Sequence, residues 1–415
     1  MILVIINLIL IGLYLAWLYK RNEALKKHFF VAAGFKLLSG IGVGALYQYY
    51  YTFGDTYAFF NIAQDLNKVA AENFAAYLEY VLGMNNEAFS SMYDYQPRAL
   101  FMVKILSVIN LMTGGNYWVS SLYFSLFAFS GAWYATTTFL KFFGQYKGAV
   151  IFSFFYFPSV VFWSSGIIKE SVAIGCIYFI SSYILILVKE HKLSWYQVLM
   201  LLLNLFVLWN IKYYYAGIIL LLSLSLITTS FLSRRFDQLK GSGLVQAGVF
   251  FMFIAASSLI VTQLHPNFYL HRILSVIVDN YNAFQEISAS GDFVEFSALE
   301  PNVWSFLYYT PKALASGLFK PFIGESAELF KIVSGLENLL LLGLLIVAVI
   351  YAPKERASYL NLLFLSALLF VVIMAVFLTL SAPNYGTLIR YKTGFLPFFV
   401  FLVTIRNPWV NKLFS

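Results

Sequence analysis

Residues 1–27 read MILVIINLILIGLYLAWLYKRNEALKK, which is nineteen uncharged residues followed by four cations and one acid within eight. A helix needs about 20 consecutive apolar residues to cross the hydrocarbon core of a bilayer. The stretch has no basic region ahead of its apolar run and no small-residue cleavage site. It therefore reads as a retained span and not as a cleaved secretory signal. Its charges, Lys20, Arg21, Lys26 and Lys27, come after it. Short cytoplasmic loops collect Lys and Arg, so the N-terminus is expected outside and the first loop inside.

The same pattern recurs along all 415 residues. Apolar runs are centred at 1–19, 29–50, 117–140, 148–167, 170–188, 194–211, 214–231, 243–262, 332–351, 358–380 and 391–405, giving about eleven transmembrane helices. Residues 1–415 then form a single transmembrane domain of all-α class. Hydrophobic residues make up 61% of the chain and charged ones 11%, far from the balance of a soluble domain. The alternate segments at 20–28, 141–147, 189–193, 232–242, 352–357 and 406–415 hold 15 of the 27 Lys and Arg but 4 of the 19 Asp and Glu. That is a net +11 inside against −3 for the remainder, and the C-terminus is placed in the cytoplasm. The overall +8 thus reports topology and no nucleic acid partner. The one cysteine, Cys176, lies inside an apolar run and provides no disulfide framework.

Ala99–Met112 is too short for an ordinary span and contains Lys104, so it reads as an interfacial segment. It belongs to the first of two long outer loops, residues 51–116, which also carries an amphipathic helix with Phe59, Ile62, Ala63, Leu66, Val69 and Ala70 at helical spacing. The second outer loop, residues 263–331, is aromatic and studded with acids. Long ordered loops on a rigid scaffold usually carry function, whereas the cytoplasmic connections are short. The working face is expected to be the outer one.

Candidate residues for chemistry lie there. Gly54-Asp55 precedes the amphipathic helix; Asp55 suits an N-cap, since Asp accepts from free helix amides, and equally a general base at the membrane surface. Asp94 and Arg98, later in the same loop, are further cavity candidates. The stretch from Pro158-Ser159 through Trp163-Ser164-Ser165-Gly166 to Lys169-Glu170 joins two spans at the outer face. Its plain reading is a wetted hairpin tip; its functional one has Lys169 on a phosphate and Glu170 orienting it or contacting sugar hydroxyls. Arg390 and Lys392 sit at the last span, where two cations are suited to a lipid phosphate or to snorkelling toward headgroups. Lys320 is the candidate in the second loop for a headgroup or pyrophosphate, within a segment that otherwise reads as an interfacial helix and its exit. Lys36, Lys212 and Glu337 lie within or at the edges of spans, where charge is costly and tends to be paired or to face a cavity. Lys36 is near enough to the inner surface to snorkel, and Glu337 is a candidate for the cavity of Asp55. Four histidines without ligand spacing point to no metal site.

The Gly54-Asp55 pair with its Tyr/Phe-containing helix resembles the GT-C superfamily of polytopic glycosyltransferases. So does the order that follows: Arg98-Ala99-Leu100 opening a loop helix, the turn Thr113-Gly114-Gly115-Asn116, then a span. Similarity covers roughly residues 45–170. In that superfamily an acid in this loop serves as base and the donor is a sugar on a polyprenyl phosphate, which implies Asp55 as the base here. The Trp-Ser-Ser-Gly…Lys-Glu stretch and the Asn384–Tyr391 segment are also similar to bacterial polysaccharide-assembly membrane proteins. Two features depart from the GT-C pattern: an additional span precedes the loop, and no Asp-x-Asp pair is present for a metal. What the resemblance implies is a glycosyltransferase of the bacterial cytoplasmic (inner) membrane. It would move a sugar from a polyprenyl-phosphate-linked donor to a glycan or lipid acceptor at the outer face, in surface polysaccharide or glycoconjugate assembly. No cofactor is expected, a divalent metal being left open. The alternatives are a polysaccharide polymerase or ligase working with Arg in place of Asp, and a transporter or flippase for lipid-linked oligosaccharide.

Overall fold

The computed structural model describes every residue except 52, 53, 85–96, 241, 265, 327, 353–360 and 415. Among the described residues it is helical, with no strand beyond an isolated bridge between Phe293 and Asn384. Seven helices are long and apolar enough to cross a membrane, or nine if each of two bent pairs counts as one span. This is the architecture of a membrane-embedded α-helical protein. The eleven runs of the sequence map onto fewer uninterrupted helices for identifiable reasons.

Residues 194–211 and 214–231 fall in one helix, Trp195–Arg235, with a kink at Lys212 (φ −147°, ψ 76°). Residues 148–167 do not form a continuous helix. A short helix Lys147–Ile151 runs into a π turn at Phe152–Tyr156 and stops at Phe157, whose backbone is extended. Pro158 dictates this, because the residue before a proline is driven out of the helical region. The last apolar run is likewise broken: Tyr385–Gly394 and Leu396–Thr404 meet at 67°.

Cα packing divides the chain into two compact units. The first comprises residues 1–137, 161–182 and 195–214; the second comprises 138–160, 183–194 and 215–415. No linker marks the division, which passes through helices.

In the first unit, α1 (Ile2–Lys20) and α2 (Lys26–Tyr49) are followed by α3 (Asp55–Glu72), α4 (Phe74–Val81) and α5 (Pro97–Thr113). Helix α3 packs on α5 and α4 and buries Phe59, Ile62, Ala63, Leu66 and Ala70, the stripe its periodicity marks out. Helix α5, continuous over 17 residues, turns by 119° into α6 (Tyr117–Phe143). The turn rests on Gly114 and Gly115 at φ +67° and +69°, a conformation in which a side chain costs about 1–2 kcal/mol per residue. Asn116 then caps the new helix by accepting from the Val119 amide at 3.1 Å. Much of α1 is exposed, including Ile5, Leu8, Ile9 and Leu13, as a lipid-facing helix requires.

The second unit holds α11 (Gly243–Leu264), α12 (Leu270–Ile287), α13 (Val303–Phe319), α14 (Leu329–Ile350), α15 (Leu362–Ser381), α16 (Tyr385–Tyr391) and α17 (Leu396–Thr404), numbered after α7 (Lys147–Ile151), α8 (Pro158–Phe162), α9 (Lys169–Glu190) and α10 (Trp195–Arg235). Helices α12 and α13 pack on α15, and α14 and α15 on α17. Segment 292–294 pairs with 383–385: the Val294 amide donates to the Pro383 carbonyl and the Tyr385 amide to the Asp292 carbonyl, both at 3.0 Å. Lys331 secures this joint with 2.6 Å contacts to both Asp292 oxygens and 2.8 Å to Glu328.

Candidate functional site

In the first unit, charged residues gather around Lys169. Asp55 and Glu170 act attractively on its ammonium, and Lys212 and Arg98 repulsively. These five residues come from four elements: the first turn of α3, the start of α5, the first turn of α9 and the kink of α10. Three helix N-termini therefore contribute. Each carries partial positive charge and unsatisfied N–H groups, which favours an anion nearby.

Asp55 is exposed and is the first helical residue; Gly54, in extended backbone, holds the N-cap position proposed for it from sequence. The glycine is needed for space, since a Cβ there would lie 2.2 Å from a Tyr47 ring carbon. Tyr47 is itself buried. Gly54→Ala is expected to displace that ring and the start of α3 at a cost of about 1–3 kcal/mol, read as a lower melting temperature in detergent. Immediately after Asp55, Thr56 is buried with its hydroxyl 2.7 Å from that of Tyr117. Tyr57 stacks on the Tyr117 ring at 4.3 Å and 8° and donates to Gln48 Oε1 at 3.1 Å. Burial above all, helped by the neighbouring Tyr49, pushes the Tyr57 hydroxyl pKa up, while the Tyr117 hydroxyl opposes this. It is a neutral positioning group at ordinary pH. The Asp55 backbone is thus fixed from both sides.

Lys169 is half-buried, with its ammonium 5.2 Å from the centre of the Phe59 ring. Arg98, also half-buried, lies 4.8 Å over Tyr213. Both cations rest on aromatic faces, a geometry that holds a charge without neutralising it. Glu170 is different. It is buried and accepts from the Lys212 ammonium at 2.8 Å, the two side chains being 3% and 5% exposed. The wetted-tip reading of Lys169-Glu170 therefore fails for Glu170.

The preceding Trp163–Ile168 segment is also interior. Ser164, Ser165 and Ile167 are fully buried, and the Gly166 amide donates to Ser125 Oγ at 2.9 Å. Lys36, read as able to snorkel, is 4% exposed and donates to Ser164 Oγ and, at 3.4 Å, to the Val161 carbonyl. It holds this segment in place. Asp94 lies outside the described residues.

The remaining candidates belong to the second unit, where Glu337 and Lys392 attract each other. Lys392 is 1% exposed and donates to Asn338 Oδ1, whose amide nitrogen donates to the Pro321 carbonyl at 2.8 Å. Arg390 is half-buried, 6.0 Å over the Tyr391 ring. Glu337 accepts from the Ser159 amide at 2.9 Å and from its hydroxyl, serving as the cap of α8. Lys320 is bonded to Glu325 Oε1 at 2.6 Å and to the Tyr385 hydroxyl at 3.1 Å. Among the described residues no group of three or more His, Cys, Asp or Glu is placed to hold a metal ion.

The Lys320–Glu325 pair carries a pH signature. Burial opposes the charge on each partner, but their mutual hydrogen bond outweighs it, raising the pKa of Lys320 and, with the Phe322 amide, lowering that of Glu325. The contribution of Glu325 is full above its ordinary 4.5 and is lost as pH falls through the lowered value. That of Lys320 is full below its ordinary 10.5 and is lost as pH rises through the raised one. Lys320→Met is expected to lower stability by about 1 kcal/mol at neutral pH. The gap in melting temperature should narrow in strong acid and strong alkali.

A comparison of the chain with protein-family models, with curated proteins and with solved structures finds no match in any of the three.

Proposed function

We propose that this protein is a membrane glycosyltransferase of GT-C type, taking a sugar from a polyprenyl-phosphate-linked donor to a hydroxyl-bearing acceptor at the outer face of a bacterial cytoplasmic membrane. The observation that carries the reading is the exposed Asp55 in the first turn of α3, close enough to Lys169 to act on its charge, with Arg98 acting on the same ammonium. Asp55 takes the proton of the acceptor hydroxyl as it attacks the anomeric carbon. Arg98 and Lys169, with the N-terminal amides of α5 and α9, stabilise negative charge on the departing phosphate. Glu170 and Lys212 position Lys169 from within the protein. Helices α3 and α5, both beside the first apolar spans, wall a boundary where a greasy carrier and a polar sugar must meet. The donor-phosphate roles read for Lys320, Lys392 and Arg390 are not carried into this mechanism. Lys320 and Lys392 are engaged with Glu325 and Asn338, and Arg390 lies over the Tyr391 ring.

The test is transfer by purified protein in liposomes. Polyprenyl phosphate carrying a radiolabelled sugar is supplied with a mixture of glycan and lipid acceptors. Label is expected to move covalently to an acceptor with release of polyprenyl phosphate. Movement of intact donor across the bilayer without covalent change would establish the flippase alternative instead.

A further inference from the structure

The second unit contains a cavity of about 630 Å³, and no residue of the proposed active site lines it. Its wall is made where helices end or begin: the C-termini of α6, α9 and α10, the first turns of α15, and α11 near Gln246. These ends include residues of three segments read as cytoplasmic from charge, at 141–147, 189–193 and 232–242. On that charge reading the cavity lies at the cytoplasmic ends of these helices.

Its lining is chemically divided. Lys189 and Arg234 are exposed cations, and no Asp or Glu contributes to the wall. The acid next in sequence, Glu190, is held by Lys141. Arg234 spends one terminal nitrogen on the Val188 carbonyl at 2.6 Å and on Ser230 Oγ at 3.3 Å. A guanidinium has five N–H donors in a planar fork, so this anchoring fixes its orientation and leaves donors over. The Ser230 hydroxyl, which accepts from Arg234, and the second amide N–H of Gln246, whose first is given to the Leu239 carbonyl, add neutral donors, while Leu226 and Phe364 supply an apolar side. The volume lies within the about 300–1,000 Å³ of small-molecule sites.

We infer that this cavity binds an anionic phosphate group, one whose charge no attached cation cancels, on the cytoplasmic side of the membrane. Two cations with fixed hydroxyl and amide donors match a phosphate's oxygens, and the bidentate fork of Arg is suited to them. The adjoining apolar wall at helix ends accommodates acyl chains, so an anionic lipid such as phosphatidylglycerol fits as a whole. Inorganic phosphate shares the recognised chemistry but not the chains.

Purified full-length protein in nanodiscs of phosphatidylcholine, doped with a photoactivatable phosphatidylglycerol, tests the inference. Labelling is expected at peptides containing residues 188–189, 230–234 and 361–364, and excess phosphatidylglycerol should suppress it about tenfold where excess phosphatidylcholine does not. Suppression by millimolar inorganic phosphate as well would identify the headgroup phosphate alone as the determinant; resistance to it would identify the whole lipid. Lys189→Gln/Arg234→Gln should lose at least tenfold of the labelling at unchanged melting temperature. Labelling spread evenly over lipid-facing helices, or equal suppression by phosphatidylcholine, would overturn the inference from wild-type protein alone, whether or not the double variant folds.

Discussion

Asp55→Asn is expected to slow sugar transfer by about 10²–10⁴-fold, the usual contribution of a positioned general base. The change keeps the size but turns one acceptor oxygen into an N–H donor and removes the basic site. Asp55 is exposed, and its neighbours Thr56 and Tyr57 fix the backbone through contacts independent of its carboxylate. Loss of a first-turn carboxylate costs the helix about 0.3–1 kcal/mol. The melting temperature should therefore barely move while the rate collapses, and donor binding should persist. A full-rate Asp55→Asn enzyme would remove the base. If that enzyme were active and Arg98→Ala inactive, the mechanism would pass to the polymerase or ligase type that works through Arg. Arg98→Ala in the proposed scheme is also deleterious, but through phosphate stabilisation; a donor with a better leaving group should then recover part of the rate.

The parts of this molecule that were readable in advance are those set by local pattern. Apolar length marks the helices, and the 3.6-residue period marks the buried face of α3, of which Val69 alone is not fully buried. Paired glycines mark the turn after α5. Helix continuity was less readable. The hydropathy minimum near Lys212 suggests two spans, whereas the backbone there is a kink in one helix. A charge lowers local hydropathy whether it sits in water or against a buried carboxylate.

Partnership is the least readable property of all. Glu170 and Lys212 are 42 residues apart, Lys36 and Ser164 128, and Asp292 and Lys331 39. Nothing in residue type or spacing announces such pairs. The available signal was negative: a lysine or glutamate inside an apolar run must be satisfied by something. Lys36, Lys212 and Glu337 carried that signal, and each proved to hold another segment in place. Lys331, at a span edge, carries no such signal. Arg390 and Lys392 show the converse error, since proximity in sequence suggested a clamp, but Lys392 turns into the interior toward Asn338.

Breaking the Glu170–Lys212 pair from either side is expected to destabilise the protein by about 3–5 kcal/mol, because a buried charge loses its partner. The two single changes should not be equal. Glu170 sits in the first turn of α9, where the helix N-terminus favours negative charge. Lys212→Met leaves that support in place, and the carboxyl can also bind a proton. Glu170→Gln leaves an ammonium facing the same positive helix end, with Lys169 adding to the repulsion. Glu170→Gln should be the more harmful, by about 1 kcal/mol. The double variant Glu170→Gln/Lys212→Met should recover most of the loss, as neutral replacements of a buried pair often do. Melting temperatures in one mild detergent, at constant pH and lipid, decide this. Additive losses in the double variant would mean that the two charges do not sustain each other. A recovered fold with transfer still impaired would locate the pair's functional importance in the placement of Lys169, since neither partner is exposed enough to meet a substrate.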